Sequence, residues 1–297
     1  MTSIPVIVNP TAGGGRLLRR QGELSAAARG LDVELSWWLT EQRGHGEELA
    51  RRAAAAGHPL VLAWGGDGTY NEVARGLVGS ATAMGVLPGG TTSVFAYELG
   101  VPRPAPRALV PLLRGSDRAM SVGRSDRGDL VLLMLSAGVD ALVVEEAFRR
   151  RRFFRGKTGI AVQAARELAR RRPLPRVRVR ADGSTVEGGW VVVGNARCYG
   201  GRFRATPGAD PFEPGFELVA QTRVGRAPAI GFALALALGR HLGRRDVVRR
   251  RCRRVVIEAA VDGAQLPYQV DGDPIMALPV TLEVDPRTLL IRVPAKG

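Results

Sequence analysis

The sequence predicts an α/β N-terminal domain, a parallel sheet with helices on both faces, followed by a β-rich, antiparallel, sandwich-like C-terminal domain. Strands alternate with helices up to about Pro111, and beyond it the segments are short, β-rich and separated by turn dipeptides. The length of 297 residues fits two domains of about 150 residues each. We place the domains at residues 1–120 and 121–297, and the last strand can return to the first domain.

Strand–helix units make up the first half of the chain. The predicted strands are Ile4–Val8, Val33–Leu39, Leu60–Trp64 and Met84–Leu87, and the predicted helices are Arg16–Arg29, Glu47–Ala56, Tyr70–Val78 and Ser93–Leu99. Strands joined by helices of this length pair in parallel, because a parallel pair needs a long crossover connection. Their carboxyl ends meet at one edge of the sheet, where the ligands of α/β domains bind.

The second half is predicted from short β-rich segments and two helices. The strands are Leu130–Ser136, Arg176–Arg180, Trp190–Val193, Leu218–Thr222, Val255–Ala259, Tyr268–Val270, Val280–Val284 and Leu289–Val293, and the helices are Lys157–Arg172 and Pro228–Leu242. Asp-Gly and Asp-Pro dipeptides lie between several of these strands. This pattern is typical of an antiparallel sheet or sandwich.

The composition excludes several classes of protein. With 45% apolar and 24% charged residues the chain is globular rather than disordered. Two cysteines and three scattered histidines are too few for a disulfide framework or a zinc module. The apolar run Ile4–Val8 is too short for a signal peptide, and no apolar stretch reaches the roughly 18 residues of a membrane span. We therefore expect a soluble protein of a reducing compartment.

Basic residues are concentrated in the second half. Lysine and arginine number 43 against 28 acids, a net charge of +15, although the first 120 residues hold twelve basic and ten acidic side chains. Residues 149–180 carry thirteen basic side chains and one acid, and residues 240–254 carry eight and one. Such runs indicate a surface that meets phosphate, in a lipid headgroup or a nucleic acid. The alternative is a pair of solvated helix and strand faces.

Three glycine-rich turns follow predicted strands of the first half. Gly65–Thr69 leads into a helix, so its glycines let phosphate approach the backbone and the helix N-terminus. Asp67 would repel bare phosphate, which indicates a divalent cation or a transferred proton between them. Alternatively, the segment is a tight turn in which Asp67 caps the next helix.

The turns at 9–15 and 87–93 repeat this arrangement, so all three converge at the edge of a parallel sheet. The hydroxyl groups of 87–93 either bind phosphate oxygens or cap a helix. The chain contains neither a Gly-Lys-Ser/Thr P-loop nor a Gly-x-Gly-x-x-Gly after a strand, and it has no Gly-x-Ser-x-Gly elbow. These absences disfavour a P-loop enzyme, a dinucleotide-binding enzyme and an α/β-hydrolase.

The ordered set of motifs resembles the diacylglycerol kinase catalytic-domain family, which includes bacterial diacylglycerol kinases, sphingosine kinases and ceramide kinases. The matching segments are Asn9–Gly15, Gly65–Val73, Leu87–Thr91, Leu99–Pro102, Ser136–Asp140, Gly194–Asn195, Tyr199–Gly201 and Asp271–Asp273. The glycine–aspartate motif is shared with NAD kinases and phosphofructokinases, whereas the ordered set is more specific. The resemblance implies an ATP-dependent lipid kinase, with nucleotide bound by the N-terminal domain and acyl chains held by the C-terminal domain.

The resemblance also implies roles for individual residues. The residues expected to contact ATP are Asn9, Thr40, Gly65, Gly66, Asp67, Gly68, Thr69, Asn71, Gly90 and Thr91. Asp67 would face the phosphates through nucleotide-bound Mg²⁺. Asp271 and Asp273 match the family's Asp-Gly-Glu, which supplies the base that takes the lipid hydroxyl proton. Asp67, Asp271 and Asp273 are thus the catalytic candidates, although Asp271-Gly272 by itself is more typical of a hairpin turn.

The chain departs from the family pattern at three places. Ser93-Val94 stands where many relatives have Asn-Asp, and Asp273 is one methylene shorter than the usual glutamate. The region that holds a structural Mg²⁺ in some bacterial members is 210–215 here. We do not transfer that metal to this chain: either Asp210 or Glu213 substitutes as its ligand, or the site is empty.

The expected partner is a lipid substrate at an anionic membrane surface. The arginine-rich segments 149–180 and 240–254, with Phe153-Phe154 among them, would form the docking surface of a cytoplasmic protein at the inner face of the membrane. No nucleic-acid partner is expected, since no recognisable module accompanies the arginines. The identity of the lipid and the oligomeric state stay open, and a homodimer is one outcome. The rivals are a related kinase acting on NAD or a sugar phosphate, and a non-catalytic relative that binds acidic lipid or nucleotide.

Overall fold

The computed structural model describes residues 2–90, 92–149, 173–261, 263–275 and 277–295. The chain divides into two compact units. The first consists of Met1–Ser121 and Pro286–Gly297, and the second consists of Val122–Asp285. The chain therefore leaves the first unit once and returns to it for its last strand.

A six-stranded sheet forms the centre of the first unit. Its strands are β1 (Thr2–Val8), β2 (Val33–Leu39), β3 (Leu60–Gly65), β4 (Ala83–Pro88), β5 (Ser116–Met120) and β20 (Leu289–Val293), in the order β2-β1-β3-β4-β20-β5. All pair in parallel except β5, which is antiparallel to β20. Every residue of β3 and β4 is buried, because both faces of the sheet are covered. The predicted α/β class is confirmed.

The helices of the first unit follow most of the predicted pattern. They are α1 (Ala12–Gly15), α2 (Gln21–Arg29), α3 (His45–Ala55), α4 (Asp67–Leu77), α5 (Val94–Glu98) and α6 (Ala105–Leu113). The differences lie at α1, at the starts of α2 and α4, and at α6. The predicted helix Arg16–Arg29 is wrong at its start, because Leu18–Arg20 forms a 3₁₀ turn before α2. The sequence does not predict α6, since its prolines argue against a helix. Proline is tolerated in the first helical turn, which is where Pro106 lies. Pro111 lies inside the helix, where proline removes a backbone hydrogen bond, and the helix buries Ala108, Leu109 and Leu112 beside it.

Two antiparallel six-stranded sheets form the second unit. One has the order β10-β9-β16-β19-β6-β7 and the other β15-β14-β11-β8-β17-β18. The strands of the first are β6 (Gly123–Ser125), β7 (Leu130–Val131), β9 (Val177–Ala181), β10 (Ser184–Gly188), β16 (Arg254–Ala259) and β19 (Val280–Val284). Those of the second are β8 (Met134–Gly138), β11 (Trp190–Gly194), β14 (Phe216–Gln221), β15 (Val247–Cys252), β17 (Tyr268–Val270) and β18 (Asp273–Ile275). Val179, Ile257, Val191 and Leu218 belong to one buried core, so the two sheets form the expected sandwich.

The second unit also contains a small hairpin and two described helices. The hairpin joins β12 (Cys198–Tyr199) to β13 (Phe203–Arg204), and the helices are α7 (Val139–Arg149) and α8 (Arg226–Ala237). A 3₁₀ turn, His241–Gly243, follows α8, so the predicted helix Pro228–Leu242 begins and ends too late. The predicted helix Lys157–Arg172 and the pair Phe153-Phe154 lie outside the described residues.

Many arginines of the two basic runs form ion pairs, most of them across strands. The pairs are Arg178–Glu187, Arg178–Glu258, Arg180–Glu258, Arg244–Asp246, Arg249–Glu217, Arg251–Glu213 and Arg254–Glu283. Most of these side chains are partly exposed, and exposed pairs of this kind contribute about 1 kcal/mol or less each. For these arginines the structure therefore favours the alternative of solvated strand faces.

Candidate functional site

Three glycine turns lie together at one edge of the first unit's sheet. They follow β1, β3 and β4, which are adjacent and parallel. The N–H groups of Gly89 and Gly90 both donate to the Gly65 carbonyl oxygen at 2.8 Å. A Cβ atom on Gly13, whose φ is 60°, would lie 2.5 Å from the Gly89 carbonyl oxygen. The first and third turns are thus in contact, which requires glycine at position 13.

Asp67 is the first residue of α4, yet its carboxylate caps a different helix. Oδ2 accepts the N–H of Val94 at 3.0 Å and Oδ1 accepts the N–H of Phe95 at 2.9 Å, both at the start of α5. Withdrawal from water raises the pKa of Asp67 above the usual aspartate value, although the Phe95 and Val94 amides act to lower it. A carboxylate has about four lone pairs, so Asp67 can cap α5 and still face a cation.

Asn9 and Thr40, two predicted ATP contacts, follow β1 and β2 at the same edge. Asn9 Oδ1 accepts the Thr11 N–H at 3.0 Å and the Thr11 hydroxyl at 2.8 Å, which fixes the first turn. The Thr40 N–H donates to the Val8 carbonyl oxygen at 2.9 Å, and Thr40 is buried. Both residues are held in place by the backbone of the sheet edge.

The residues of the Gly65–Thr69 turn differ in their exposure to solvent. Gly66 is the N-cap of α4, and Gly68 is exposed, with open space where a Cβ atom would stand. Thr69 is buried, and its side chain packs so closely over the turn that a Cβ atom on Gly65 would lie 2.4 Å from its Oγ1. A ligand can therefore approach the first turn of α4 from the side of Gly68.

Asn71, Gly90 and Thr91 complete the predicted ATP contacts. Asn71 Oδ1 accepts the Arg75 Nε–H at 2.9 Å within α4. Gly90 packs on Gly66, since a Cβ atom on Gly90 would lie 2.8 Å from the Gly66 Cα. Thr91 lies outside the described residues.

A cavity of about 460 Å³ opens beside the first and third turns. Its lining residues are Gly13, Arg16, Leu17, Arg20, Pro88, Gly89, Arg103 and Pro104. Small-molecule sites have volumes of about 300–1,000 Å³, so a ligand of metabolite size fits. The three arginines give the cavity a positive lining, which is suited to phosphate oxygens.

Two of the three arginines of the cavity are anchored on the turns themselves, whereas Arg20 pairs with Glu23 of α2. Arg103 donates to the carbonyl oxygens of Gly90 at 2.5 Å and Thr92 at 3.3 Å, so it braces the third turn. Arg16 Nε donates to the Gly13 carbonyl oxygen at 3.3 Å. Sequence reasoning missed both, although Arg103 directly follows the matching segment 99–102 and Arg16 directly follows the first turn.

The side chains of Asp210 and Glu213 are engaged locally. Asp210 Oδ1 accepts the Phe212 N–H at 2.9 Å, and Glu213 accepts from Arg251 at 3.4 Å. In the part of the chain that the structure describes, no three His, Cys, Asp or Glu side chains are grouped to hold a metal ion. Asp67 is the carboxylate that fits nucleotide-bound Mg²⁺, because that ion is held by one or two carboxylates together with phosphates.

In the second unit, Asp271 and Gly272 form the turn between β17 and β18. Their φ angles are 52° and 94°, and Val270 pairs with Asp273 across the turn. The Asp271 carboxylate accepts three backbone N–H groups at 2.9 Å, from Leu132, Leu133 and Met134. The hairpin alternative is therefore correct for this dipeptide. Because these N–H groups bond to Asp271, the predicted strand Leu130–Ser136 is interrupted and divides into β7 and β8.

Asp273 stands in a different environment two residues later. It begins β18, is partly exposed, and does not take part in the three-amide contact that holds Asp271. The Asp271–Asp273 segment thus combines one carboxylate fixed by backbone with one on the strand that follows.

A buried polar cluster supports this turn from within the second unit. Asp140 accepts hydrogen bonds from Ser136, Tyr199 and Gln269, and its exposed fraction is 1%. The Gln269 side-chain oxygen accepts the Gly272 N–H at 2.7 Å, which links the cluster to the Asp271–Asp273 turn. Burial raises the pKa of Asp140 to about 6, while the Ser136 and Gln269 hydrogen bonds act to lower it. Sequence reasoning noted Ser136–Asp140 and Tyr199 as motif matches without giving them a role.

Two family models match this chain, one for each part. The diacylglycerol kinase catalytic domain matches residues 3–125, and the YegS C-terminal NAD kinase beta sandwich-like domain matches residues 134–293. Together the matches define a two-domain protein with a kinase-type α/β unit and a β-sandwich. The chain belongs to the diacylglycerol kinase catalytic-domain family, so the predicted family is confirmed.

Similar proteins and structures agree with that family. The diacylglycerol kinase of Mycobacterium tuberculosis (strain H37Rv) is 25% identical over 99% of this chain and 96% of its own length. The diacylglycerol kinase of Bacillus subtilis is 24% identical over 90% of this chain and 88% of its own length. A crystal structure of a diacylglycerol kinase from Bacillus anthracis has a TM-score of 0.70 at 17% identity, covering 98% of this chain and 96% of that one. The structural likeness shows the fold.

Proposed function

We propose that this protein transfers the γ-phosphoryl group of Mg-ATP to a hydroxyl group of a lipid, most directly diacylglycerol. The observation that carries the proposal is the meeting of three glycine turns, one of which holds Asp67 and the other two of which line a cavity with three arginines, in a chain of this family. The relatives named diacylglycerol kinase support diacylglycerol as the acceptor.

The first unit would hold the nucleotide. Bound Mg-ATP supplies the phosphoryl group and a cation that neutralises charge. Asp67 would face that cation, and the first turn of α4 would present backbone N–H groups to the phosphates on the side left open by Gly68. Arg16 and Arg103 would bind phosphate oxygens from the cavity side. Phosphoryl transfer depends chiefly on such positioning and charge neutralisation.

The second unit would supply the base. In the transfer, a bond forms between the lipid hydroxyl oxygen and the γ-phosphorus, and the bond from that phosphorus to the bridging oxygen breaks, which releases ADP. A carboxylate of the Asp271–Asp273 turn takes the hydroxyl proton. The Asp271 carboxylate has three of its roughly four lone pairs occupied by amides, whereas Asp273 does not share that contact.

Measurements of both kcat and the free energy of unfolding distinguish the roles of Asp271 and Asp273. We expect Asp273→Asn and Asp271→Asn each to lower kcat by roughly 10²-fold or more, since a positioned base contributes about 10²–10⁴-fold. Only Asp271→Asn should also lower the free energy of unfolding. Full activity in both variants would exclude the turn as the source of the base.

Membrane association forms part of the proposal. A lipid acceptor lies in a bilayer, and no helix in the described ranges has the length and apolar character to cross one. We propose that the protein acts at the inner, anionic face of the cytoplasmic membrane, as a peripheral protein.

The decisive experiment is incubation of the purified protein with labelled ATP, Mg²⁺ and one acceptor at a time. The acceptors are diacylglycerol, ceramide, a sphingoid base and phosphatidylglycerol in mixed vesicles, with NAD and a sugar phosphate in solution. We expect label in phosphatidic acid, and its loss in Asp67→Asn. Label in NAD or the sugar phosphate would replace this proposal with the rival kinase, and binding of ATP without any labelled product would replace it with the non-catalytic relative.

A further inference from the structure

Helix α8 is apolar on two opposite faces. Successive residues of an α-helix are about 100° apart, so residues three, four or seven positions apart share a face. Ala229, Phe232 and Leu236 are buried, and Phe232 packs on Trp190 with ring centroids 5.3 Å apart. The opposite face therefore points away from the sandwich.

That outer face consists of large, exposed, apolar side chains. Ile230, Leu234 and Leu238, each four residues apart, are 44%, 62% and 71% exposed. Phe203, 43% exposed, lies on strand β13, which is beside α8. We call these four residues the α8 patch. In the described part of the chain nine large apolar side chains are exposed, so nearly half of them are gathered here. Gathering of this kind marks an interaction surface, whereas single exposed leucines do not.

The chain segments around the α8 patch are basic. Residues 222–245 contain five arginines and neither aspartate nor glutamate, and residues 197–204 contain three arginines and no acid. Exposed Arg226 begins α8, and exposed Arg240 follows its end. Of the five arginines, Arg244 pairs with Asp246 just beyond this stretch, as the arginines of β9, β15 and β16 pair with glutamates.

An apolar face with a cationic border fits the surface of an anionic bilayer. Arginines near such a surface contribute about 1 kcal/mol each, and the apolar side chains enter the boundary between headgroups and acyl chains. With 12 residues, α8 is about 18 Å long, which suits a helix that lies in the interface. A second copy of this chain fits less well, because its identical surface would bring arginines against arginines.

We propose that helix α8 docks this protein on anionic membranes, with Ile230, Leu234, Leu238 and Phe203 inserted among the lipids and the flanking arginines on the headgroups. The inference rests on the membrane association proposed above and gives it a surface centred on α8, which shares with the two basic runs only the start of the run 240–254. Docking needs no nucleotide and no catalysis, so it is measured separately from kinase activity.

The test is cosedimentation of the full chain with sucrose-loaded vesicles of phosphatidylcholine and phosphatidylglycerol, without ATP. We expect the double variant Leu234→Glu/Leu238→Glu to bind at least tenfold more weakly. The matched control is Val261→Glu, which changes a side chain of the second unit that is also 62% exposed, and it should bind like wild type. Arg226→Glu/Arg240→Glu should weaken binding to these vesicles and leave the weak binding to pure phosphatidylcholine unchanged.

Insertion is checked independently with Leu234→Trp. Brominated acyl chains should quench its fluorescence in vesicles beyond the quenching of wild type, and Val261→Trp should show no added quenching. Unchanged vesicle binding in Leu234→Glu/Leu238→Glu would overturn the inference. So would a change from dimer to monomer in that variant, measured by analytical ultracentrifugation, with vesicle binding intact, because the patch would then cover a second copy.

Activity on a short-chain, water-soluble diacylglycerol separates this inference from the proposed function. The α8 variants should phosphorylate the soluble acceptor like wild type, since the patch serves only to reach the bilayer. If wild type phosphorylates no lipid and the variants still lose vesicle binding, the kinase proposal fails and docking by α8 stands. If wild type phosphorylates diacylglycerol and the variants bind vesicles normally, docking by α8 fails alone.

Discussion

Asp67 and Asp271, one in each unit, are both carboxylates that bind the backbone of a distant segment. Asp67 accepts two N–H groups at the start of α5, and Asp271 accepts three from residues 132–134. Burial raises the pKa of Asp67. Asp271 lies in a turn and has a positive φ. Two of the three residues that the motifs mark as catalytic therefore also hold a loop in place.

The two carboxylates differ in how many backbone N–H groups they accept. This difference helps to distinguish a role in the reaction from a role in stabilising the fold. Loss of activity in a variant of either residue has two causes, a missing chemical group and a displaced loop. Because Asp271 makes more backbone contacts than Asp67, the structural cause should be larger for Asp271. Measurements of stability beside activity make the comparison quantitative.

The largest effect is expected for Asp271→Ala. The change leaves three N–H groups without an acceptor and places alanine at a φ of 52°, which together should lower the free energy of unfolding by about 4 kcal/mol. Urea denaturation measures this effect. Asp271→Asn, which tolerates that φ and keeps one acceptor oxygen, should lose less. Asp273→Ala in the same hairpin is the control, and an equal loss there would contradict a special role for the three-amide contact.

The second effect is the dependence of the free energy of unfolding on pH, which Asp140 causes. Its pKa rises from 3.8 to about 6 on folding, so the folded state binds the proton more tightly than the unfolded state. The stability contributed by protonated Asp140 is therefore lost as pH rises through about 6. Between pH 4 and pH 8 the advantage of wild type over Asp140→Asn should fall by about 2 kcal/mol. Urea denaturation of both proteins across that range gives the difference, and a difference independent of pH would show that Asp140 keeps an ordinary pKa.

Asp67→Ala should have a smaller effect on stability. Removing a helix cap costs about 1 kcal/mol, and the raised pKa of Asp67 shows that its charged form is already disfavoured by burial. Activity, in contrast, should fall far more than this loss of stability explains. A loss of unfolding free energy equal to that of Asp271→Ala would remove the distinction between the two carboxylates.

The fold was predictable to the extent that it depends on local patterns. Buried strands such as β3 and β4 are continuous apolar runs, so their class and position follow from sequence. Two features that the sequence did not predict are the division between β7 and β8, which depends on a distant contact, and α6, which contains prolines. β7 and β8 are separated because Asp271, about 140 residues away, takes the intervening N–H groups. α6 contains Pro106 in its first turn, which a helix tolerates, and Pro111 in its interior, where the local preference is against a helix and the burial of neighbouring side chains has to outweigh it.

The site was predictable where it is made of motifs and not where it is made of isolated residues. Glycine turns after parallel strands converge by geometry, so Gly13, Gly65 and Gly89 were placed together correctly. Arg103 carries no motif, and its contact with Gly90 depends on how the chain returns after α5. The α8 patch was equally hidden, because the helix is apolar all round and its sequence does not show which face is covered.

The smallest predicted effect on activity concerns Arg103. It tests whether the first unit uses its arginines as it uses Asp67, for both structure and ligand. Arg103 lines the cavity and braces the third turn through two carbonyl oxygens. We expect Arg103→Gln to raise the KM for ATP roughly tenfold, about 1.4 kcal/mol, with a smaller change in kcat. Steady-state kinetics and equilibrium binding of a fluorescent ATP analogue measure the two components.

Two matched variants decide between charge and shape as the source of that effect. Arg103→Lys keeps the charge at the cavity but lacks the planar guanidinium group that reaches both carbonyl oxygens. If Arg103→Lys regains only part of the ATP affinity that Arg103→Gln loses, the part not regained reflects bracing of the turn. Arg107→Gln removes an exposed arginine of α6 that does not line the cavity, and it should leave the KM for ATP unchanged. If both glutamine variants weaken ATP binding equally, the effect is one of net charge, and the cavity is not a phosphate site.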